Sequence, residues 1–519
     1  MRAPPKAADR VSAPAPLRRV LGRGRWFALP LGLALALAFA PVGLMPLALL
    51  CPAALFLLWH GATPREAAVR GSLFTGGTFL AGTYWLYHSI HLVGQAPVWV
   101  ALFLMLGLVA IMGAYTALVG YVAARWFPAR GLTRWLVVLP ALWVLAEWVR
   151  GWFLSGFPWL ALGYTQLATP LRGYAPVLGV YGVSLGVAVT AGALTALVLG
   201  ARRERIAAVV VVAATWLSGA LLNQVEWTRP SGAPVAVALV QGAVPQSMKW
   251  QPAQREQTKR LYVDLTVPHL GTPIIVWPES AVPALEEYVR PYLAQMSGAA
   301  VARGSSLIMG LIRRDAATGS YYNSVSAWTA GLPQQWYDKR RLVPFGEFFP
   351  VPQAVRDWLR LMNLPYSDFQ PGSDQQPPLR AGDVSLAPTV CYEDAYGSEQ
   401  LRLARESSLL VNVTNDAWFG DSTAPHQHLD ISRMRSLESG RAMLRATNDG
   451  VTALIDADGS VTGRLPQFEP AVLEGRVQPR TGLTPYLRFG NVPVVVVLLV
   501  ALAVVAAALR RRRRGAVRA

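Results

Sequence analysis

The sequence predicts a multi-pass α-helical membrane domain of eight spans joined to one water-exposed α/β domain. Of its 519 residues, 53% are hydrophobic and only 15% are charged, which is unusual for a soluble protein of this size. Long apolar runs recur in the first part of the chain and once more near its C-terminus. Residues 224–487 instead alternate short apolar runs with amphipathic stretches, which indicates a layered α/β domain of ordinary size.

Seven apolar runs precede the polar region and one follows it. They lie at residues 26–40, 42–60, 71–93, 98–124, 135–153, 175–199, 206–222 and 492–509, and we expect each to cross a hydrocarbon core of about 30 Å. A cleaved signal peptide is the alternative for the first run, because Ala38-Phe39-Ala40 has the small-x-small form of a cleavage site. Pro41 and the second run directly after it favour a retained pair of helices.

The net charge of +18 could indicate nucleic acid or membrane partners. The basic residues lie mostly in short clusters beside the apolar runs, which is typical of the cytoplasmic ends of membrane spans and argues against nucleic acid. With the basic tail 1–25 inside, the same side receives Arg65, Arg70, Arg125, Arg130, Arg134, Arg202, Arg203, Arg205 and the arginines at 510–514. The turns at Pro41 and 94–97 carry no basic residue and fall outside.

This topology divides the chain into five parts. We expect a cytoplasmic tail 1–25, a seven-helix membrane domain 26–223, a periplasmic domain 224–487, a last membrane helix 488–509 and a cytoplasmic tail 510–519. The expected location is therefore the inner membrane of a Gram-negative-type cell, with the polar domain in the periplasm.

The α/β domain reads as strands alternating with helices. Predicted strands lie at 235–240, 273–277, 306–311, 324–329, 335–337, 385–390, 409–413 and 452–455, and predicted helices at 251–265, 284–302 and 426–446. Several strands are apolar throughout, the pattern of strands covered on both faces. The segment 369–382 is rich in Pro, Gly, Asp and Gln and is expected to be a surface loop, either a lid or a solvated connector.

Three polar residues stand at the ends of predicted strands, next to turn-forming residues: Glu279, Lys339 and Cys391. The chain has two cysteines, and Cys51 lies in an apolar run, so Cys391 is the lone thiol of the polar region. A thiol with a pKa of about 8.5 needs a base or a cation nearby to react at neutral pH. Each of the three can also be an ordinary buried thiol or strand-end charge, and only their joint occurrence favours catalysis.

The motifs around these residues resemble those of the carbon-nitrogen hydrolase (nitrilase) superfamily. The matching segments are Trp277-Pro278-Glu279-Ser280, Tyr337-Asp338-Lys339, Leu342-Val343-Pro344-Phe345-Gly346-Glu347, Cys391-Tyr392-Glu393 and Asn415-Asp416-Ala417-Trp418-Phe419-Gly420, with Leu239-Val240-Gln241-Gly242, Pro245-Gln246 and Lys249-Trp250 in the opening region. With seven spans before this domain and one after it, nearly the whole chain is similar to the apolipoprotein N-acyltransferases, the membrane-embedded members of that superfamily. The resemblance implies a nitrilase-like αββα sandwich.

The resemblance also implies a reaction and its residues. Cys391 would be the nucleophile, Glu279 the general base and acid, and Lys339 the cation that stabilises the tetrahedral intermediate. Glu347 and Glu393 would support Lys339 and shape the pocket, and the Tyr392 N–H is an expected oxyanion donor. Trp250, Trp418 and Phe419 are candidates for guiding lipid, with plain packing as their alternative.

The implied substrates are a phospholipid acyl donor and a diacylglyceryl apolipoprotein whose free α-amine accepts the acyl group from a Cys391 thioester. No cofactor and no metal are implied. The sequence departs from the superfamily pattern at Asp449, where an uncharged residue is more usual, and this affects none of the proposed catalytic residues.

Two other polar groups have competing interpretations. His426 and His428 form an H-x-H pair that can bind metal, but no third ligand cluster accompanies it and a structural role is favoured. Glu147, near Trp148 and Tyr164 at the end of the fifth span, is either functional or an ion-pair partner of Arg150.

Two other functions compete with acyl transfer. One is a membrane-tethered amidase that passes its acyl group to water. The other is a transporter or scaffold with a ligand-binding outer domain, but the internal repeat typical of transporters is not seen and the spans are largely uncharged.

Overall fold

The computed structural model describes residues 24–344, 346–348 and 369–518, with the side chains of residues 513 and 515–518 excepted. The tail 1–23, and with it most of the predicted basic N-terminus, lies outside the described residues. So do Phe345 of the quoted motifs and residues 349–368.

The regular secondary structure from Gly24 to Leu222 is entirely helical. Its helices are α1 (Gly24–Ala36), α2 (Pro46–Leu58), α3 (Pro64–Gly82), α4 (Val98–Trp126), α5 (Leu139–Arg150), α6 (Ala175–Leu199) and α7 (Arg202–Leu222). A short helix Trp85–Tyr87 continues as the π-helix His88–Val93, and the π-helix Thr133–Val138 leads into α5. The helices pack around a core of small and aromatic side chains, in which glycines of α3 lie directly against the backbone of α1 and α4.

Each predicted span contains helix, but their lengths differ. Within the described residues, four helical stretches are long and apolar enough to cross a membrane: Val98–Trp126, Pro170–Leu199, Arg202–Leu222 and Val492–Arg512. The first two helices are apolar but have 13 residues each, and at 1.5 Å per residue each covers about 20 Å of a core about 30 Å thick. The chain is therefore a membrane protein, and the count of eight spans stays a prediction.

The polar domain contains two six-stranded sheets. The first, in the order β12-β1-β2-β3-β4-β5, consists of β1 (Val235–Gln241), β2 (Ile274–Val276), β3 (Ser306–Arg314), β4 (Tyr321–Trp328), β5 (Gln335–Asp338) and β12 (Ala471–Val477). The second, in the order β11-β10-β9-β8-β7-β6, consists of β6 (Leu379–Ala381), β7 (Val384–Val390), β8 (Leu409–Thr414), β9 (Met443–Thr447), β10 (Ala453–Ile455) and β11 (Val461–Arg464).

The sheets face each other, and helices cover their outer sides. Buried aliphatic side chains of both sheets form one cluster between them, for example Val276 and Ile308 from the first sheet and Leu386 and Val411 from the second. The remaining helices are α8 (Gln246–Lys249), α9 (Arg255–Thr266), α10 (Glu286–Ala302), α11 (Leu401–Arg405), α12 (Ala424–Ser439), α13 (Pro485–Phe489) and α14 (Val492–Arg518). Helices α9 and α10 cover the first sheet through a second apolar cluster, which completes an α/β sandwich.

Helix α12 joins the sandwich to the membrane helices. The Gln427 side chain accepts from the indole N–H of Trp159 at 2.7 Å and donates to the carbonyl oxygen of Gly82 at 3.1 Å. The N–H of Val180 donates to Glu438 Oε1 at 2.7 Å, and it is available because Gly179, at φ 68°, breaks the start of α6. These buried hydrogen bonds hold the two parts of the chain in contact.

The structure corrects two sequence predictions. The helix predicted at 426–446 ends at Ser439, because Gly440 takes a left-handed conformation (φ 61°) and the chain then forms β9. The predicted surface loop 369–382 includes strand β6, which pairs with β7 at the edge of the second sheet. All eight predicted strands are present with end shifts of a few residues, whereas β6, β9, β11, β12 and the short antiparallel pair Arg229–Pro230 with Arg480–Thr481 were not predicted.

Candidate active site

Cys391 lies at the start of a sharp turn that follows β7. Strand β7 ends at Val390, Cys391 adopts a left-handed backbone with φ 51°, and a 3₁₀ turn continues to Ala395. The side-chain amide of Asn412, on the neighbouring strand β8, donates to the Cys391 carbonyl oxygen at 3.2 Å. This turn lifts the thiol above the carboxyl end of the sheet, the edge at which α/β sheets present reactive groups.

The surroundings of the Cys391 thiol favour its protonated form. Burial and the nearby Glu279 carboxylate raise its pKa, while Lys339 and a hydrogen bond from Thr414 act in the opposite direction. A thiol in this state does not react as a preformed thiolate. It needs a base that removes its proton as it attacks.

Glu279 and Lys339 both follow strands of the first sheet, and their side chains lie close together. Glu279 follows β2, and its turn fits against β3 only because Gly310 has no side chain: a Cβ there would lie 2.5 Å from the Glu279 Cα. Lys339 directly follows β5. Its Nζ lies 3.9 Å from Glu279 Oε1 and 2.9 Å from Glu347.

Asn323 ties the two carboxylates together. Its side-chain N–H groups donate to Glu279 Oε1 at 2.7 Å and to Glu347 Oε1 at 2.8 Å. Burial lowers the pKa of Lys339, but Glu347 and Glu279 outweigh it, and the net effect is a pKa above the ordinary value. Lys339 is therefore a fixed cation, and its charge is matched by carboxylates held in place by hydrogen bonds.

Glu393 holds the backbone around this centre. Its carboxylate accepts from the Tyr337 hydroxyl at 3.0 Å, from the N–H of Arg340 at 2.7 Å and from the N–H of Val390 at 2.8 Å. The Arg340 N–H lies directly after Lys339 and the Val390 N–H directly before Cys391. One buried carboxylate thus joins the backbone of the lysine segment to that of the cysteine segment.

The predicted aromatic residues lie at different places. Trp250 and Trp418 are exposed, at 48% and 40% of their surface. Phe419 packs against Trp85 of the membrane domain, with ring centroids 4.8 Å apart. The Tyr392 ring stacks on Trp159, and its hydroxyl donates to the Gly156 carbonyl oxygen at 3.1 Å.

Lys249 was not singled out from the sequence. It is fully buried, its Nζ donates to the Glu279 carbonyl oxygen at 3.2 Å, and burial lowers its pKa to about 8. Asp449 lies near enough for its charge to act on Lys249, and burial raises the pKa of Asp449 to about 7. The only sequence signal for Lys249 was its place in the quoted Lys249-Trp250 motif.

His428 belongs to a buried ion-pair network behind the cysteine turn. Its two ring nitrogens lie 2.9 Å from Asp394 and 2.9 Å from Asp416. Arg445 donates to Asp416 at 2.9 Å. Both ring nitrogens of His428 are therefore engaged by carboxylates, and the described part of the chain holds no cluster of three metal-ligating side chains.

Glu147 lies close to Arg150, as one of its two predicted alternatives expects. Its Oε1 accepts from the Trp143 indole and the Leu162 N–H at 3.0 and 3.1 Å, and it lies 3.8 Å from Arg150. Its Oε2 is buried and accepts no hydrogen bond from the described residues.

Comparison with known proteins places this chain in a family. A family model described as "Apolipoprotein N-acyltransferase N-terminal domain" matches residues 31–193, and one described as "Carbon-nitrogen hydrolase" matches residues 236–486. The chain is 43% identical to the apolipoprotein N-acyltransferase of Methylococcus capsulatus, over 89% of this chain and 92% of that one. It is 44% identical to that of Azotobacter vinelandii, over 91% and 92%.

The chain belongs to the apolipoprotein N-acyltransferase family. As a member of this family it is an acyltransferase, and its two-sheet domain has the carbon-nitrogen hydrolase fold. Among solved structures it is similar to a carbon-nitrogen hydrolase from Helicobacter pylori G27, with a TM-score of 0.35 and 18% identity over 47% of this chain and 89% of that one.

Proposed function

We propose that the chain moves a fatty acyl group from a membrane phospholipid to Cys391 and then to the α-amine of a diacylglyceryl-cysteine at the N-terminus of lipoproteins. The observation that carries this proposal is the buried set of Cys391, Glu279 and Lys339, with Lys339 fixed by Glu347. A thiol beside a base and a fixed cation is equipped for acyl transfer through a covalent intermediate.

In the first half-reaction, Glu279 takes the thiol proton as Sγ attacks the ester carbonyl carbon of the phospholipid. The developing oxyanion is stabilised by the Lys339 ammonium and by the backbone N–H of Tyr392. The bond between the carbonyl carbon and the glycerol oxygen then breaks, and Glu279 returns the proton to that oxygen. The products are a Cys391 thioester and a lysophospholipid.

In the second half-reaction, the neutral α-amine of the acceptor attacks the thioester carbon. Glu279 removes a proton from the attacking nitrogen, and the same donors stabilise the second oxyanion. The C–S bond breaks as the amide forms, and the cysteine sulfur recovers its proton from Glu279. Glu347 and Glu393 take no proton in either step. They hold Lys339 and the two backbone segments.

The exposed Trp250 and Trp418 fit a role in guiding lipid toward this centre, and both lie on the surface of the sandwich. The basic clusters at the ends of the helices support an inner-membrane location with the catalytic domain in the periplasm. Both substrates are bilayer lipids, so an enzyme embedded in the membrane meets them without extracting either one.

The experiment compares acyl transfer to an amine with transfer to water. Purified full-length protein is given phospholipid vesicles with and without a diacylglyceryl peptide that has a free N-terminal amine, and lysophospholipid and N-acyl peptide are quantified. We expect a single equivalent of lysophospholipid without acceptor and continuous release, matched by N-acyl peptide, with it. Continuous release without acceptor indicates a hydrolase. An acceptor with an acetylated amine is the control and should behave as no acceptor.

A further inference from the structure

The loop that follows α5 is apolar, exposed and bent. Trp152, Phe153 and Leu154 are 49%, 48% and 69% exposed, and residues 151–157 contain no charged side chain. Leu154 and Ser155 both have left-handed backbones, at φ 54° and 70°. Side-chain-bearing residues persist in this conformation only where surrounding contacts hold them, and such positions cluster at functional sites.

The contacts that hold this loop come from the cysteine turn. The Tyr392 hydroxyl donates to the Gly156 carbonyl oxygen at 3.1 Å. The Tyr396 hydroxyl lies 3.1 Å from the carbonyl oxygens of Ser155 and Gly156, and 2.6 Å from the Tyr392 hydroxyl. Tyr392 is the residue directly after Cys391, and its N–H is the proposed oxyanion donor. The position of the loop is thus coupled by two hydroxyls to the position of the reacting groups.

The other side of Tyr396 is also fixed. The Arg341 guanidinium lies 5.4 Å from the centre of the Tyr396 ring and pairs with Glu399. Arg341 belongs to the segment that begins with Lys339. Tyr396 therefore lies between the loop and the lysine segment. This location fits a positioning residue that does not touch the substrate.

The composition of the loop fits a bilayer surface. Trp148, at the end of α5, packs on Trp152 with ring centroids 5.4 Å apart, and Trp152 packs on Phe153 at 6.1 Å. Tryptophan side chains gather at the boundary between headgroups and acyl chains, where one part of the ring is apolar and the other wet. The loop continues directly from a helix of the membrane domain, so phospholipid is the partner that its exposed face meets.

We propose that the loop 152–154 contacts the donor phospholipid and that Tyr396, with Tyr392, positions the Cys391 turn against it. The inference rests on the proposed function, since it assigns a contact for the phospholipid donor. Leu154 acts on donor binding, whereas Tyr396 is a positioning residue that acts on the chemical step. The two residues should therefore affect different kinetic constants.

The test measures acylation of Cys391 in the full-length chain with two donors. One donor is a vesicle of phosphatidylethanolamine and phosphatidylglycerol, and the other is water-soluble p-nitrophenyl butyrate. Leu154→Ser should raise the half-saturating phospholipid concentration about tenfold, because an exposed leucine contact with lipid is lost, and should leave the rate with the soluble ester unchanged. Leu118→Ser is the matched control, since Leu118 of α4 is 62% exposed and distant in sequence from the loop.

Tyr396→Phe keeps the ring and removes the hydroxyl. It should lower kcat with both donors about tenfold, because the reacting groups lose alignment, and leave the half-saturating phospholipid concentration unchanged. Tyr288→Phe, at an exposed tyrosine of α10, is the control. If Leu154→Ser fails to insert, Phe153→Ser replaces it as the loop variant.

The outcomes separate the proposals. Wild-type half-saturation in both loop variants means that the loop does not contact the donor. Wild-type kcat in Tyr396→Phe means that the hydroxyl does not position the turn. If the wild-type chain is acylated by p-nitrophenyl butyrate but never by vesicle phospholipid, then the proposed function fails, whatever the variants do.

Discussion

Lys339 is held as a cation by Glu347 at 2.9 Å and by Glu279 at 3.9 Å. In the proposed reaction it stabilises an oxyanion twice, once in each half-reaction. Because Lys339 is only 1% exposed, water does not screen its charge. We therefore expect Lys339 to stabilise the transition state, so that replacing this residue lowers the rate of acylation.

We predict that Lys339→Ala slows formation of the Cys391 thioester by about 10²- to 10³-fold, the range for losing one oxyanion-stabilising group. The rate is measured by mass spectrometry of the intact protein after mixing with phospholipid vesicles. Lys259→Ala is the control, because Lys259 lies on α9 and pairs with Glu256 away from the centre. A thioester formed at the wild-type rate by Lys339→Ala would remove the lysine from the mechanism.

Some residues of this site could be predicted from the sequence, and others could not. Glu279, Lys339 and Cys391 could be found because each lies near the end of a predicted strand inside a distinctive motif. Asn323 contacts Glu279 across 44 residues, and Lys249 contacts it across 30. Such partners follow from how segments distant in sequence are brought together within one sheet and its loops, which a local sequence pattern does not show.

The end of helix α12 also could not be predicted correctly from the sequence. Its predicted extension to residue 446 was wrong because a run of helix-compatible residues continues past Gly440, and only the left-handed glycine marks the end. Strands β11 and β12 consist mostly of exposed and partly buried positions and contain charged residues, so their pattern was too weak to predict. The apolar strands, by contrast, were predictable from composition alone.

The His428 network that anchors α12 should make stability depend on pH. Burial and Arg445 lower the pKa of His428, but Asp394 and Asp416 outweigh them and raise it from 6.5 to about 9. A group whose pKa is raised by folding stabilises the fold fully below its unfolded pKa and loses that contribution as the pH rises through the folded value. We therefore expect the unfolding temperature in detergent to fall between about pH 6.5 and 9.

The variant His428→Gln should lower stability at pH 6.5 by on the order of 3 kcal/mol, because the buried Asp394 and Asp416 lose one of their cations and keep only the pairing with Arg445, and should lack the fall at higher pH. His426→Gln is the control, since His426 lies two residues away and outside the network. The measurement is the unfolding temperature of the wild type and of both variants across this pH range. An equal fall in the wild type and in His428→Gln would show that another group is responsible.

At the scale of the whole molecule, the proposed topology places the sandwich outside the cytoplasm. We predict that a membrane-impermeant thiol reagent labels Asp383→Cys, an exposed position at the β6–β7 turn, in cells with a permeabilised outer membrane. Ala201→Cys, exposed between α6 and α7, should label only after the inner membrane is lysed. Both are made in a Cys391→Ala background, in which the remaining Cys51 is buried. The reverse labelling pattern would invert the topology.

Contacts between the α/β sandwich and the membrane domain connect this topology to the proposed reaction. The cysteine turn contacts the membrane domain through Tyr392, and α12 contacts it through Gln427 and Glu438. The reacting centre is therefore fixed close to the helices that meet the lipid. This arrangement suits an enzyme whose donor and acceptor both remain in the bilayer.

The most direct test of the account is to trap the acyl-enzyme. Full-length protein given phospholipid alone should gain the mass of one acyl chain on Cys391, in a bond that neutral hydroxylamine cleaves and that a diacylglyceryl peptide with a free amine discharges. Glu279→Gln should form no such adduct, because the buried thiol would lack its base. If acyl groups reach the peptide at the normal rate while no adduct can be trapped, and lysophospholipid appears only when the peptide is present, then transfer is direct and the covalent mechanism is wrong.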